Sequence, residues 1–161
     1  MNRQPDFLHR LFASPAFIFI LLLLPGLFLR VYHLADYASL PLLSSVTGPD
    51  VSEYHAHAMR ILSGEFLPET VQIHAPLYAF FLALLLKFSA MGYFTARLLQ
   101  CVLLMVFTAL PVFLLLRKTW KEDTGGKRFL PYLSVLFLGL YPPLAVYQCE
   151  LISEPLMIVL T

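Results

Sequence analysis

From Leu11 to Leu29 the chain runs without a charged side chain. Two later stretches are nearly as apolar: residues 93–116, which carry only Arg97, and residues 129–147, which carry no charge. Each is close to the ~20 residues that a helix needs to cross the hydrocarbon of a bilayer. Inside lipid every backbone N–H and C=O must be satisfied within the segment, so runs of this kind fold as helices. Composition agrees. Of the 161 residues, 59% are hydrophobic and 13% charged, against about 25% charged in soluble domains. A core this small cannot absorb so much apolar surface. The expected fold is all-α: a polytopic transmembrane helical protein with an outer loop of juxtamembrane helices.

Arg3, His9 and Arg10 stand before the first run. A signal peptide has the same basic start, but its apolar part is about 7–15 residues long. No small-x-small cleavage site follows, so the run at 11–29 reads as an uncleaved span. The segment "PLYAFFLALLLKFSAM" (76–91) has an apolar core of only ten residues, 77–86. That length suits an interfacial or dipping helix that does not cross. A further helix starts at 154 and the sequence stops a few residues into it. The chain therefore reads as an N-terminal piece of a longer membrane protein, with spans at 11–29, 93–116 and 129–147 and an outer loop over 31–92.

Charge sets the expected orientation. The loop "RKTWKEDTGGKR" holds Arg117, Lys118, Lys121, Lys127 and Arg128, whereas residues 31–75 hold Arg60 against Asp36, Asp50, Glu53, Glu65 and Glu69. The positive-inside rule places the basic loop in the cytoplasm and the acidic segment outside. Glu150 and Glu154 then also fall outside, at the far end of the third span. The implied location is multi-pass in a plasma (inner) membrane, with any site on the outer or periplasmic face. A net charge of +1 gives no field for nucleic acid. Cys101 and Cys149 lie in apolar runs and suggest neither a disulfide framework nor a zinc cluster.

The stretch "TGPDVSEYHAHAMRILSGEF" (47–66) follows the first span. Gly48 or Thr47 can cap a helix whose first turn holds Pro49. Helical spacing then gathers Asp50, Glu53, Tyr54, His57 and Ile61 on one stripe, with His55, Met59 and Leu62 on the other side. Acids in the opening turn also complement the helix dipole. A metal site from Asp50, Glu53 and His57 is conceivable, although the spacing matches no specific ligand motif. Near the second acidic segment, Ser153 can cap a helix with Glu154 and Pro155 in its first turn.

The order of these features resembles the N-terminal part of the GT-C glycosyltransferases, and more narrowly the protein O-mannosyltransferase and aminoarabinose transferase superfamily. The matching positions are Asp50, Tyr54 and Ala58, then "HAPLY" (74–78), Gly92 and "ARLLQ" (96–100), and finally Pro142, Tyr147, Ser153 and Glu154. They cover most of the chain from residue 12; each motif is weak alone and the order is the more specific signal. Two positions depart from the pattern: Asp50 is followed by Val51 where many relatives have Glu, and Glu154 stands where many have Asp.

The resemblance implies an inverting glycosyltransferase. It would move a sugar from a polyprenyl-phosphate-linked donor to a hydroxyl or amine of a protein, lipid or glycan acceptor. Asp50 is the expected general base, since an attacking hydroxyl needs a base within hydrogen-bond reach, and Glu154 is the expected second catalytic acid. Arg97 is the expected phosphate partner, because arginine forks onto phosphate oxygens and a membrane arginine is usually functional. An arginine that snorkels from a helix end has the same sequence signature. Glu53, Tyr54, His57 and His74 complete the expected substrate-binding set. No cofactor is fixed, and a divalent cation stays open. Leu77, Phe80, Phe81 and Leu84 are candidates to line the groove for the polyprenyl tail, or to pack in the membrane. Two other classes remain at this point: a transporter component that uses outer-face acids, and a truncated membrane protein without catalysis. The piece alone is expected to be inactive.

Overall fold

The computed structural model describes residues 14–39, 48–66, 76–90, 92–120 and 126–161. Among these every regular element is helical. Helix α1 spans Pro15–Ala38, α2 Pro49–Ser63, α3 Pro76–Phe88 and α4 Tyr93–Thr119; a short 3-10 turn, Gly126–Phe129, leads into α5, Leu130–Leu140, and α6, Pro142–Cys149, and α7, Glu154–Leu160, follow.

Helices α1 and α4 are long and apolar enough to cross a membrane; α5 and α6 add a third crossing if the bent pair is one span. Helix α1 opens with Pro15, which suits the first turn, and it does not stop where the apolar run stops. It continues nine residues past Leu29 and carries Arg30 and His33 within it. The connection expected from residue 31 starts only after Ser39. The uninterrupted helix expected over 129–147 is also revised. It breaks at Tyr141, which is extended at φ −67 and ψ 109, and the two parts are bent by 55°. Residues before proline avoid the helical region, and Pro142-Pro143 removes two N–H donors at once. Helix α3 has 13 residues, about 20 Å of helix, too short for a ~30 Å hydrocarbon core.

Two apolar clusters organise the packing. One joins α1, α4 and α5 through Phe19, Leu23, Met105, Ala109, Phe113 and Val135, with the Phe19 and Phe113 rings 5.1 Å apart. The other joins α2, α3, the start of α4 and the segment after α6 through Val51, Tyr54, Tyr78, Leu82, Ala96 and Leu151. The first apolar cluster lies toward the end where α1 starts and α4 finishes. The second lies where α1 finishes and α4 starts. Opposite these contacts, residues such as Leu24 and Phe28 of α1 and Leu114 and Leu115 of α4 are exposed, as a lipid-facing surface requires.

Helices α1 and α5 touch backbone to backbone. A Cβ added to Gly26 would lie 2.6 Å from the Gly139 carbonyl oxygen, so only glycine permits this crossing. Beside it lies Arg30, with no exposed surface. Its Nη1 donates to the carbonyls of Gly26 (2.9 Å) and Gly139 (2.6 Å), and its Nε donates to Gln148 Oε1 (3.0 Å). An uninterrupted helix would bond the Gly139 carbonyl to the N–H four residues on, but that residue is Pro143. The guanidinium supplies the missing donor. Its charge also faces the C-terminal, electronegative end of α5.

Candidate functional site

The second apolar cluster gives the molecule its polar end. Helix α2 forms as its sequence directs. Gly48 precedes it, Pro49 and Asp50 occupy its first turn, and Gly64 closes it in the left-handed conformation at φ 96, which glycine adopts without Cβ strain. Its inward face is Val51, Tyr54 and Ala58. Tyr54 therefore does not stay with the acids. It turns into the core, 3% exposed, and meets the Tyr78 ring edge-on at 4.7 Å. Asp50 is exposed at the opening turn, and Glu53 and His57 are half-buried along the flank. His57 edges a cleft of about 40 Å³ shared with Arg60, Glu65 and Phe80. His55, on the other flank, shares a hydrogen bond between its Nε2 and the Tyr93 phenol (2.9 Å), which ties α2 to the first residue of α4. Partial burial holds the His55 imidazole below its usual range.

Beneath α2 a chain of hydrogen bonds crosses from helix to helix. The Tyr78 phenol donates to Gln100 Oε1 (2.7 Å). Burial pushes that phenol well above its usual range, so it stays a donor. The Gln100 amide donates to the carbonyls of Gln148 (3.1 Å) and Glu150. The Gln148 side chain accepts from Arg30 and donates to Thr108 Oγ1 (3.3 Å). Arg97, 5% exposed, pairs through Nη1 with Glu150 Oε2 (3.2 Å) and the Cys149 carbonyl (3.3 Å). Tyr37 donates to the other Glu150 oxygen, and its ring lies 5.0 Å from the Arg97 guanidinium carbon. The extended residue Glu150, which ends α6, brings this carboxylate back toward α1 and α4.

The two acidic segments thus come to one end of the molecule. Val51 and Leu151 share a cluster, although Asp50 and Glu150 are a hundred residues apart in sequence. Of the expected site residues, Asp50, Glu53, His57, Arg97 and Glu154 all gather at this end. His74 lies outside the described residues. Arg97 meets Glu150, and Glu154 opens α7 at the exposed surface. Ser153 stands at the cap position of α7, but its hydroxyl reaches Glu154 Oε2 (3.4 Å), with no side-chain bond to the helix N–H groups. Sequence reasoning left Tyr37, Gln100, Gln148 and Glu150 out of the site. The signal was present: Gln100 and Gln148 interrupt otherwise apolar helices, and a polar side chain inside a membrane helix needs a partner.

Among the described residues no three His, Cys, Asp or Glu side chains lie close enough to hold a metal ion. Asp50, Glu53 and His57 share a helix face but do not converge on one point.

Comparison with known proteins adds no relative: no family model, no curated protein and no solved structure matches the chain.

Proposed function

We propose that this chain belongs to a membrane glycosyltransferase that uses a polyprenyl-phosphate-linked sugar, with Asp50 as the general base. The observation that carries this reading is that two distant acidic segments are brought to one end of the spanning helices, sharing an apolar cluster through Val51 and Leu151, with Glu150 of the second segment paired to Arg97. An exposed carboxylate at the opening turn of α2 is reachable by an acceptor hydroxyl. The half-buried Glu53 and His57 stand beside it to position the sugar or the acceptor. The exposed outer side of α3, with Leu77, Phe80 and Leu84, offers apolar surface at interfacial depth for the polyprenyl tail. Arg97 acts here through Glu150: the pair holds α4 against the segment leading to Glu154, and a donor phosphate at this end would meet a guanidinium already fixed in place. Glu154 serves as the second carboxylate from the first turn of α7.

The test is transfer from a radiolabelled polyprenyl-phosphate sugar in membranes that contain the full-length protein. The expected result is transfer by the wild type and a loss of about 10²–10⁴-fold in Asp50→Asn, the usual contribution of a general base. Undiminished transfer by Asp50→Asn removes Asp50 from the chemistry. Absence of transfer with every polyprenyl-phosphate sugar tried removes the reading itself.

A further inference from the structure

A second polar locus lies at the opposite end of the spanning helices. Arg117 is twenty residues beyond Arg97 on α4, about 30 Å along the axis. Around it the described residues supply four exposed cations: Arg117, Lys118, Lys127 and Arg128. No described acid belongs to α4, the 3-10 turn or α5. Where α4 ends and α5 begins, a cavity of about 360 Å³ opens, lined by Arg117, Trp120, Arg128, Phe129, Pro131 and Tyr132. Aromatic faces hold two cations at this place: the Lys127 ammonium lies 4.9 Å from the Trp120 ring centre, and the Arg128 guanidinium lies 5.1 Å from that of Phe129.

Membrane orientation explains why basic residues collect on one side of a span. It does not require two guanidiniums to border one cavity walled by aromatic rings. That combination suits an amphipathic anion. Two arginines can fork onto phosphate oxygens, and Trp120 and Tyr132 are the side chains that favour headgroup depth. Leu114 and Leu115, within one helical turn of Arg117, and Leu133, next to Tyr132, are exposed apolar side chains, along which hydrocarbon can lie. Basic pockets between membrane helices take anionic headgroups for these reasons. We propose that this cavity binds the phosphate headgroup of an anionic phospholipid, with Arg117 and Arg128 as its ligands and the acyl chains along α4 and α5. This site is independent of the transfer reaction.

Native mass spectrometry of the purified protein, with phosphatidylglycerol or phosphatidylcholine added at matched concentrations, tests the assignment. Phosphatidylglycerol should stay bound preferentially. Arg117→Gln and Arg128→Gln should each weaken it about fivefold, on the scale of one basic residue at a membrane surface, whereas Lys118→Gln, outside the cavity, should change it less than twofold. Arg117→Lys with Arg128→Lys, which keeps the charge and guards against loss of fold, should restore part of the binding. Equal retention of both lipids overturns the proposal. So does a Lys118→Gln effect as large as the arginine effects, which would indicate diffuse charge. Displacement of the lipid by millimolar inorganic phosphate would assign the cavity to soluble phosphate, and would likewise overturn it.

Discussion

Arg30 and Asp50 are both charged and stand in opposite situations. Arg30 is wholly buried between α1 and α5, and it is held by two backbone carbonyls and a glutamine. Asp50 is exposed at the first turn of a helix that packs through its neighbours Val51 and Tyr54. A buried charge whose partners are all backbone or amide groups is committed to structure. A carboxylate exposed at the surface of the same molecule is within reach of a substrate. The difference separates what holds this fold from what can act on a substrate.

Substitution at both positions draws that line most sharply. Asp50→Asn should reduce sugar transfer by about 10²–10⁴-fold and change stability by less than about 1 kcal/mol, the scale of a charge at a helix terminus. Arg30→Met should do the reverse, destabilising the protein by about 1–3 kcal/mol for each buried acceptor it strands, the Gly139 carbonyl and Gln148 Oε1. Thermal unfolding in detergent, beside the transfer assay, reads both. Equal stability losses for the two variants would erase the contrast.

A smaller effect distinguishes the two faces of the glycine contact. Gly26→Ala should destabilise by about 1–3 kcal/mol, because its methyl meets the backbone of α5. Gly139→Ala should be nearly neutral in packing, since its Cβ would stand 3.7 Å from Gly26, an ordinary contact. The same unfolding measurement applied to both tells whether the crossing is as close as described.

At the site end, Glu150→Gln should cost about 1.5 kcal/mol. That is the low end for a hydrogen bond to a charged partner, since the carboxylate is 23% exposed. The least effect belongs to His55. Its imidazole is held below the ordinary 6.5 by burial, so the unfolded chain binds the proton first. The stabilisation is complete above pH 6.5 and declines as pH falls from there through the lowered folded value. A small decrease in unfolding temperature below pH 6.5, abolished in His55→Phe, is the expected observation.

Much of this was readable from the sequence, and the failures share a cause. The α2 start at Gly48-Pro49, the length of α3 and the α4 boundaries follow from local rules. Tyr54 was assigned to the acidic stripe because 50, 53, 54 and 57 share an arc. The buried face is centred nearer Val51 and Ala58, and only α3 reveals that. Arg30 follows directly on the apolar run at 11–29, and its partners Gly139 and Gln148 lie more than a hundred residues away, beyond the reach of any local pattern. Pro142-Pro143 breaks the span expected over 129–147, and nothing local to that pair points to the guanidinium that satisfies the freed carbonyl. For Glu150, neither its sequence neighbours nor its spacing identifies Arg97 and Tyr37 as partners.

The Gly139 carbonyl also bears on how such a chain is made. In a membrane protein inserted helix by helix, α1 enters before α5 and α6, and Arg30 then has no Gln148 or Gly139 to meet. An arginine at the centre of an isolated membrane helix is disfavoured by about 2.5–3.5 kcal/mol on insertion scales, and Arg30, just past the apolar run at 11–29, carries a smaller part of that cost. That penalty is relieved only when α5 and α6 arrive. Until then α1 has reason to remain beside the translocation machinery or to let Arg30 reach toward the headgroups. The broken helix is in effect completed by the first one, which gives the order of synthesis a physical role in assembling the bundle.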